Sequence, residues 1–359
     1  MELEWPAPQF LQLLPHVDWC PLPRHVVDAY GDNWTSVDNL VVNGPFRVAN
    51  FTPGDRLVLI RNPTYGGHFS GNVDRIEFIL DRPWEEVFEL YKEGELDVIA
   101  ANLPRIQELA LQYPGEFVSA PTLQTALLSF NTNRAPFDDK RVRQALAMAL
   151  DREGYAARLG PQAARPARGG WIPPGMPGFQ PGINLPFDLN KARRLLSEAG
   201  YPEGTGFPEV TCIDGQLAAE WLQESWKVNL GIEMKFEAVD TEEYFQRLSD
   251  GFDAHIILHS LAAVYPDPEM WLGIDFRPFR APWEETVRQM QERARSSSDP
   301  EQRLERFKEI DRFFVENAIF LPILHLRQSG LIKPWVKRLP VSSSFMSIYS
   351  FQDAVITPH

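Results

Sequence analysis

Asn43-Gly44-Pro45-Phe46, then Pro53-Gly54-Asp55, Arg61-Asn62-Pro63 and Gly94-Glu95-Leu96-Asp97-Val98, set the turns of the N-terminal part of the chain. Between these turns lie Arg56-Leu57-Val58-Leu59-Ile60-Arg61 and Asp74-Arg75-Ile76-Glu77-Phe78-Ile79-Leu80, two short aliphatic runs bounded by Pro, Gly and Asn, as strands are. Residues 84–93 follow, with Val87, Phe88, Leu90 and Tyr91 at helical spacing and Gly94 placed to end the helix in a left-handed conformation.

Further along, Asp138 and Asp139 are N-cap candidates for a helix that turns Val142, Ala145, Leu146, Ala149 and Leu150 to one face and Lys140, Arg141 and Arg143 to the other. Residues 160–186 are thick with Pro and Gly, including Gly169-Gly170-Trp171-Ile172-Pro173-Pro174-Gly175, and are expected to form an ordered surface loop. Four more helices are expected over 190–199, 217–230, 241–250 and 300–317. Asp240 with Glu243 makes a capping-box pattern, and Asp299 before Pro300 pairs a cap with proline at the first helical position. In residues 233–239, Met234, Phe236 and Ala238 alternate with Glu233, Lys235 and Glu237, the pattern of a half-buried strand. Strands alternating with helices predict an α/β protein with mixed sheets.

Composition narrows the function. The chain has 359 residues, 44% of them hydrophobic, enough for two domains of ordinary size. Its formal charge of -14, without a Lys/Arg stripe, argues against a nucleic-acid partner, because such binding needs clustered cations. No apolar run approaches the about 20 residues needed to cross a bilayer as a helix. Met1-Glu2-Leu3-Glu4-Trp5 has neither a basic start nor an apolar run, so no export signal is recognised there. Cys20 and Cys212 allow one disulfide or two free thiols. Nucleophile-elbow, zinc-protease, phosphate-loop and dinucleotide motifs are missing from the sequence, and no nucleophile and base can be assembled from its residues, so an enzyme is not expected.

The opening motifs, continued by Pro136-Phe137-Asp138-Asp139-Lys140-Arg141-Val142-Arg143-Gln144-Ala145-Leu146 and by Tyr265-Pro266-Asp267-Pro268, resemble in that order the solute-binding protein family 5. This is the peptide-binding branch of the extracytoplasmic receptors that feed ABC importers. The resemblance implies a two-lobed, periplasmic-binding-protein-like α/β fold of type II, with a first lobe formed by residues 1–129 and 326–359 and a second by 130–325. It implies capture of a peptide or similar small solute by lobe closure, a membrane permease as partner, a monomeric state, and a periplasmic or cell-surface location. Family members carry a long segment before the equivalent of Trp5-Pro6-Ala7-Pro8-Gln9-Phe10-Leu11, so the chain is expected to be either a piece of a longer product or a receptor whose first lobe is incomplete. The alternative function is a ligand-sensing domain of a larger regulatory or signalling protein.

Candidate ligand-binding residues are Asn131, Trp171, His259, Tyr265, Asp267 and Trp271. Asp267-Pro268 fits a helix cap in its own right, and Tyr265 and Trp271 either offer flat apolar faces to a ligand or pack in the core. His259 ends a buried strand, where a ring nitrogen can bond a ligand or a structural partner. His255 and His259 lack further ligands at suitable spacing, so neither a metal nor a cofactor is expected. The resemblance also implies an aspartate before the tyrosine of the Tyr-Pro-Asp-Pro segment, to pair with a peptide's α-amino group. Here the preceding residues are Leu261-Ala262-Ala263-Val264, so that anchor is absent, which favours uncharged or differently charged solutes.

Overall fold

The computed structural model describes residues 9–14, 20–101, 105–214, 219–239, 243–244, 246–247, 254–274, 281–339 and 351–359. The chain divides into two compact units. The smaller comprises Leu14–Ala120 and Gln328–His359, the larger Met1–Leu13 and Pro121–Arg327. Helices are α1 Phe10–Leu13, α2 Arg24–Tyr30, α3 Trp84–Glu93, α4 Ile106–Gln112, α5 Lys140–Met148, α6 Arg152–Leu159, α7 Leu189–Glu198, α8 Ala219–Leu230, α9 Glu269–Leu272, α10 Glu284–Arg295 and α11 Pro300–Glu316. Strands are β1 Phe46–Thr52, β2 Arg56–Arg61, β3 Arg75–Ile79, β4 Val98–Ala100, β5 Phe117–Phe130, β6 Ala164–Pro166, β7 Val210–Asp214, β8 Met234–Ala238, β9 Ile256–Ala262, β10 Phe320–Ile332, β11 Val336–Lys337 and β12 Val355–Ile356.

In the smaller unit, β1, β2 and β3 form an antiparallel meander, with Val58 buried on the central strand. Helix α3 ends as expected: Gly94, at φ 83°, returns its N–H to the last turn, a conformation that costs glycine nothing. Phe88 and Tyr91 of α3 pack with Ile99, Leu109 and Leu331 as this unit's core. Strands β11 and β12 pair near the C-terminus.

The larger unit is built on a mixed sheet whose edge strand β4 belongs to the smaller unit. Strand order is β4-β10-β5-β9-β7-β8 with β6 added on β10; β9 runs antiparallel to β5, and β7 parallel to both β8 and β9. Strands β5 and β10 are neighbours, and each runs from one unit into the other. Alternate residues of β5 serve two cores, because successive side chains leave a strand on opposite faces. Ala126, Leu128 and Phe130 join Leu146, Trp226 and Ile256, whereas Leu123 and Leu127 join Trp171, Trp271, Phe307 and Phe314.

Asp139 caps α5 by accepting from Arg141 N at 2.7 Å, and Asp299 caps α11 by accepting from Glu301 N at 2.9 Å. Arg143, expected on the outer face of α5, is instead buried. Its guanidinium donates to Asn317 O at 2.8 Å, a bare carbonyl where α11 ends, and to Phe137 O at 2.6 Å before α5. The segment expected as a surface loop is also corrected, since Trp171, Ile172 and Met176 carry it into the core. Cys20 is exposed, Cys212 is buried, and no disulfide joins them. Asp240 and most of the helix expected over 241–250 lie outside the described residues.

Candidate ligand-binding residues

After β9 the chain turns through Tyr265-Pro266-Asp267-Pro268 into α9. Asp267 Oδ1 accepts from Glu269 N at 2.9 Å, which supplies the cap expected for this short helix. The same carboxylate takes both forks of Arg303 on α11, from Nη1 at 2.9 Å and from Nη2 at 2.8 Å. Arg303 Nη2 also reaches Glu269 Oε2 at 2.5 Å, and Arg295 of α10 donates to Glu269 Oε1 at 2.9 Å. Two carboxylates and two guanidinium groups therefore neutralise one another, and burial of the cluster does not leave a lone charge. Burial disfavours the Arg303 cation, but Asp267 and Glu269 outweigh it and hold its pKa above the ordinary value. Tyr265, half-buried beside this cluster, has its phenol pushed up to about 12, chiefly by burial.

Trp171 and Trp271 are both buried and lie nearly parallel, with ring centroids 6.2 Å apart and planes at 11°. Neither indole N–H has a partner among the described residues. Trp171 O accepts from Thr125 Oγ1 at 2.9 Å, and Trp171 N donates to Asp311 Oδ1 at 2.7 Å. These residues form one neighbourhood with Asp267 at the start of α9.

His259 and Asn131 belong to other surroundings. His259 Nε2 lies 2.7 Å from Ser129 Oγ and its Nδ1 lies 3.0 Å from Tyr244 OH, so both nitrogens have hydroxyl partners. Burial pulls its pKa down to about 4, leaving a neutral ring. Asn131 donates from Nδ2 to Ala254 O at 3.1 Å, and its backbone N–H donates to His255 O. The register of β9 on β5 puts Asn131 and Tyr265 off opposite ends of β9, about 20 Å apart along a seven-residue strand. The six residues thus do not make a single cluster. Sequence patterns missed Arg303, Glu269, Asp311, Thr125 and Ser129, since each is recognised only through a partner distant in the chain.

An open mixed sheet with helices and a passage of two neighbouring strands between units defines the class. The solved structure of the Escherichia coli murein tripeptide-binding protein MppA shares this fold, with a TM-score of 0.84 over 100% of this chain and 72% of that one at 24% identity. Among curated relatives, the periplasmic oligopeptide-binding protein OppA of Salmonella typhimurium is 26% identical over 355 residues, which cover 93% of this chain and 64% of OppA. The periplasmic murein peptide-binding protein MppA of Escherichia coli is 26% identical over 373 residues, covering 98% of this chain and 67% of MppA. The chain thus spans about two thirds of the length of these relatives.

This is the α/β fold of the two-lobed periplasmic peptide-binding proteins. Residues 1–281 match the family model described as Bacterial extracellular solute-binding proteins, family 5 Middle, and the chain belongs to that family.

Proposed function

We propose that this chain captures a peptide or a similar small solute for an ABC importer, handing it to a membrane permease from the periplasmic side of the membrane. The observation that supports this most is the family match over residues 1–281, joined to relatives named for the oligopeptides and murein peptides they bind. Capture involves motion of the two units on β5 and β10, the strands that pass from one to the other. We take the lobes of this reading from the division at Ala120/Pro121 and Arg327/Gln328, which supports a passage within the same two strands that hold 129 and 326. No bond is made or broken; affinity comes from burying the solute. Tyr265 and the loop that Asp267 and Arg303 hold in place are the part of the larger unit we assign to ligand contact.

A thermal-shift screen of the chain against di- to pentapeptides, oligosaccharides and bile-acid-like amphiphiles tests this directly. A binder present at 100 times its Kd raises stability by about 2.7 kcal/mol through mass action. A peptide or comparable solute that raises the melting temperature in a concentration-dependent way supports the reading. Turnover of a substrate with no stabilising binder overturns it.

A further inference from the structure

Asp311 lies on α11 with no exposed surface, and no cation touches it among the described residues. Its Oδ1 accepts from Trp171 N at 2.7 Å, and the Ile172 amide also acts to lower its pKa against burial. Its Oδ2 has no partner among the described residues. Gly170 makes this approach possible: a Cβ there would overlap the carboxylate itself. A buried acid with one idle oxygen is stable when neutral and costly when ionised, because backbone amides on one side do not replace the hydration that a full charge loses.

Most charged side chains on these stretches are engaged elsewhere, and Arg306 of α11 keeps its Nε without a partner among the described residues. Arg168, just before the turn, pairs with Glu153; Arg303 pairs with Asp267 and Glu269; Lys308 pairs with Glu305; Arg312 Nε donates to Lys308 O. The titratable group linked to the turn from the sheet is His325 on β10. Thr125 Oγ1 donates to Trp171 O, so it must accept from His325 Nδ1, which fixes that tautomer. Burial pulls the His325 pKa down to about 4, so this ring is neutral and offers Asp311 no compensating charge.

We propose that Asp311 and the turn over residues 169–176 form a proton-controlled latch, in which the turn docks on the neutral carboxyl and undocks more readily once that carboxyl ionises. The latch carries Trp171, whose ring packs against Trp271 and Phe320, so releasing it loosens this core as well. The inference does not depend on which solute the protein binds. Burial raises the Asp311 pKa to about 7 when docked, against an ordinary value of about 3.9 in water. The docked state therefore binds a proton that the undocked state has lost between pH 4 and 7, so docking weakens as pH rises over that range and levels off above about 7.

Hydrogen exchange on the whole chain reads the latch without any substitution. After correction for intrinsic rates, protection of the Trp171 and Ile172 amides should fall about tenfold from pH 6 to pH 8. Asp311→Asn keeps an acceptor for Trp171 N and has no charge, so its protection should stay level over that range. Its melting temperature relative to the parent should climb by about 3 °C or more between pH 5 and pH 8. Taking this difference cancels the opposing contributions of His259 and His325, and it should persist in a His325→Gln background. Level protection in the parent, or a melting difference that does not change with pH, overturns the latch.

Discussion

Arg152 is a buried cation with no carboxylate to answer it among the described residues. Its guanidinium donates instead to Pro322 O at 3.0 Å, Leu185 O at 3.1 Å and Ala147 O at 3.2 Å, and burial lowers its pKa to about 10. Replacing it with methionine keeps much of the volume but leaves Leu185 O and Ala147 O without a donor and Pro322 O with Asn184 Nδ2 alone, so Arg152→Met should lower stability by about 3 kcal/mol, read as a shift in the urea midpoint. His259 gives a pH signature of opposite sign to that of Asp311. Its folded pKa of about 4 lies below the unfolded value of about 6.5, so its contribution is complete above 6.5 and drains away as pH falls toward 4. His259→Gln should therefore lose less stability than the parent between pH 7 and pH 5, measured by urea unfolding at both. The caps at Asp139 and Asp299 and the left-handed Gly94 were legible in the sequence, because each acts on residues next to it. Arg143 and Asp311 were not, since a charged side chain in a helix looks solvated until its distant partners, Asn317 O and Trp171 N, are known.

At the scale of elements, α11 does the most positioning. Residues 303, 307, 311 and 314 follow one stripe, so a single helix delivers Arg303 to the Asp267 cluster, Asp311 to the 169–176 turn, and Phe307 and Phe314 to the core between them. Its start depends on Asp299, and Asp299→Ala should cost about 1 kcal/mol in chemical denaturation while leaving the secondary structure seen by circular dichroism unchanged. The helix over 84–93 and the strands β2, β3 and β8 are visible in periodicity and turn chemistry, and their observed ends differ from the expected ones by no more than a residue or so. Helices α6 and α10 escape such reading. The first is short, and the second, Glu284–Arg295, buries only Val287, Gln291 and Ala294, too sparse an apolar stripe to stand out from a charged surface. The Pro/Gly-rich segment misleads in the opposite way: its composition signals exposure, while Trp171, Ile172 and Met176 bring it inside.

For the whole molecule, ordered motifs identified the family, whereas the division into units was harder to see. Composition changes at Asn131-Thr132-Asn133, where β5 ends, but the units part at Ala120/Pro121, within the strand. A strand that stays paired along its length has no reason to change composition where it passes between units, so this position leaves no local trace. The candidate residues show the same limit: six positions chosen from chemistry fall in separate surroundings, and the Arg303 cluster that fixes the loop around Tyr265 depends on residues 36 apart in sequence. The central claim is reversible capture of an intact solute. Native mass spectrometry of the chain, incubated with an equimolar mixture of di- to pentapeptides, tests it most directly. The account predicts one-to-one complexes whose added mass equals that of uncleaved peptides and which disappear on dilution; cleaved peptides with no such complex would contradict it.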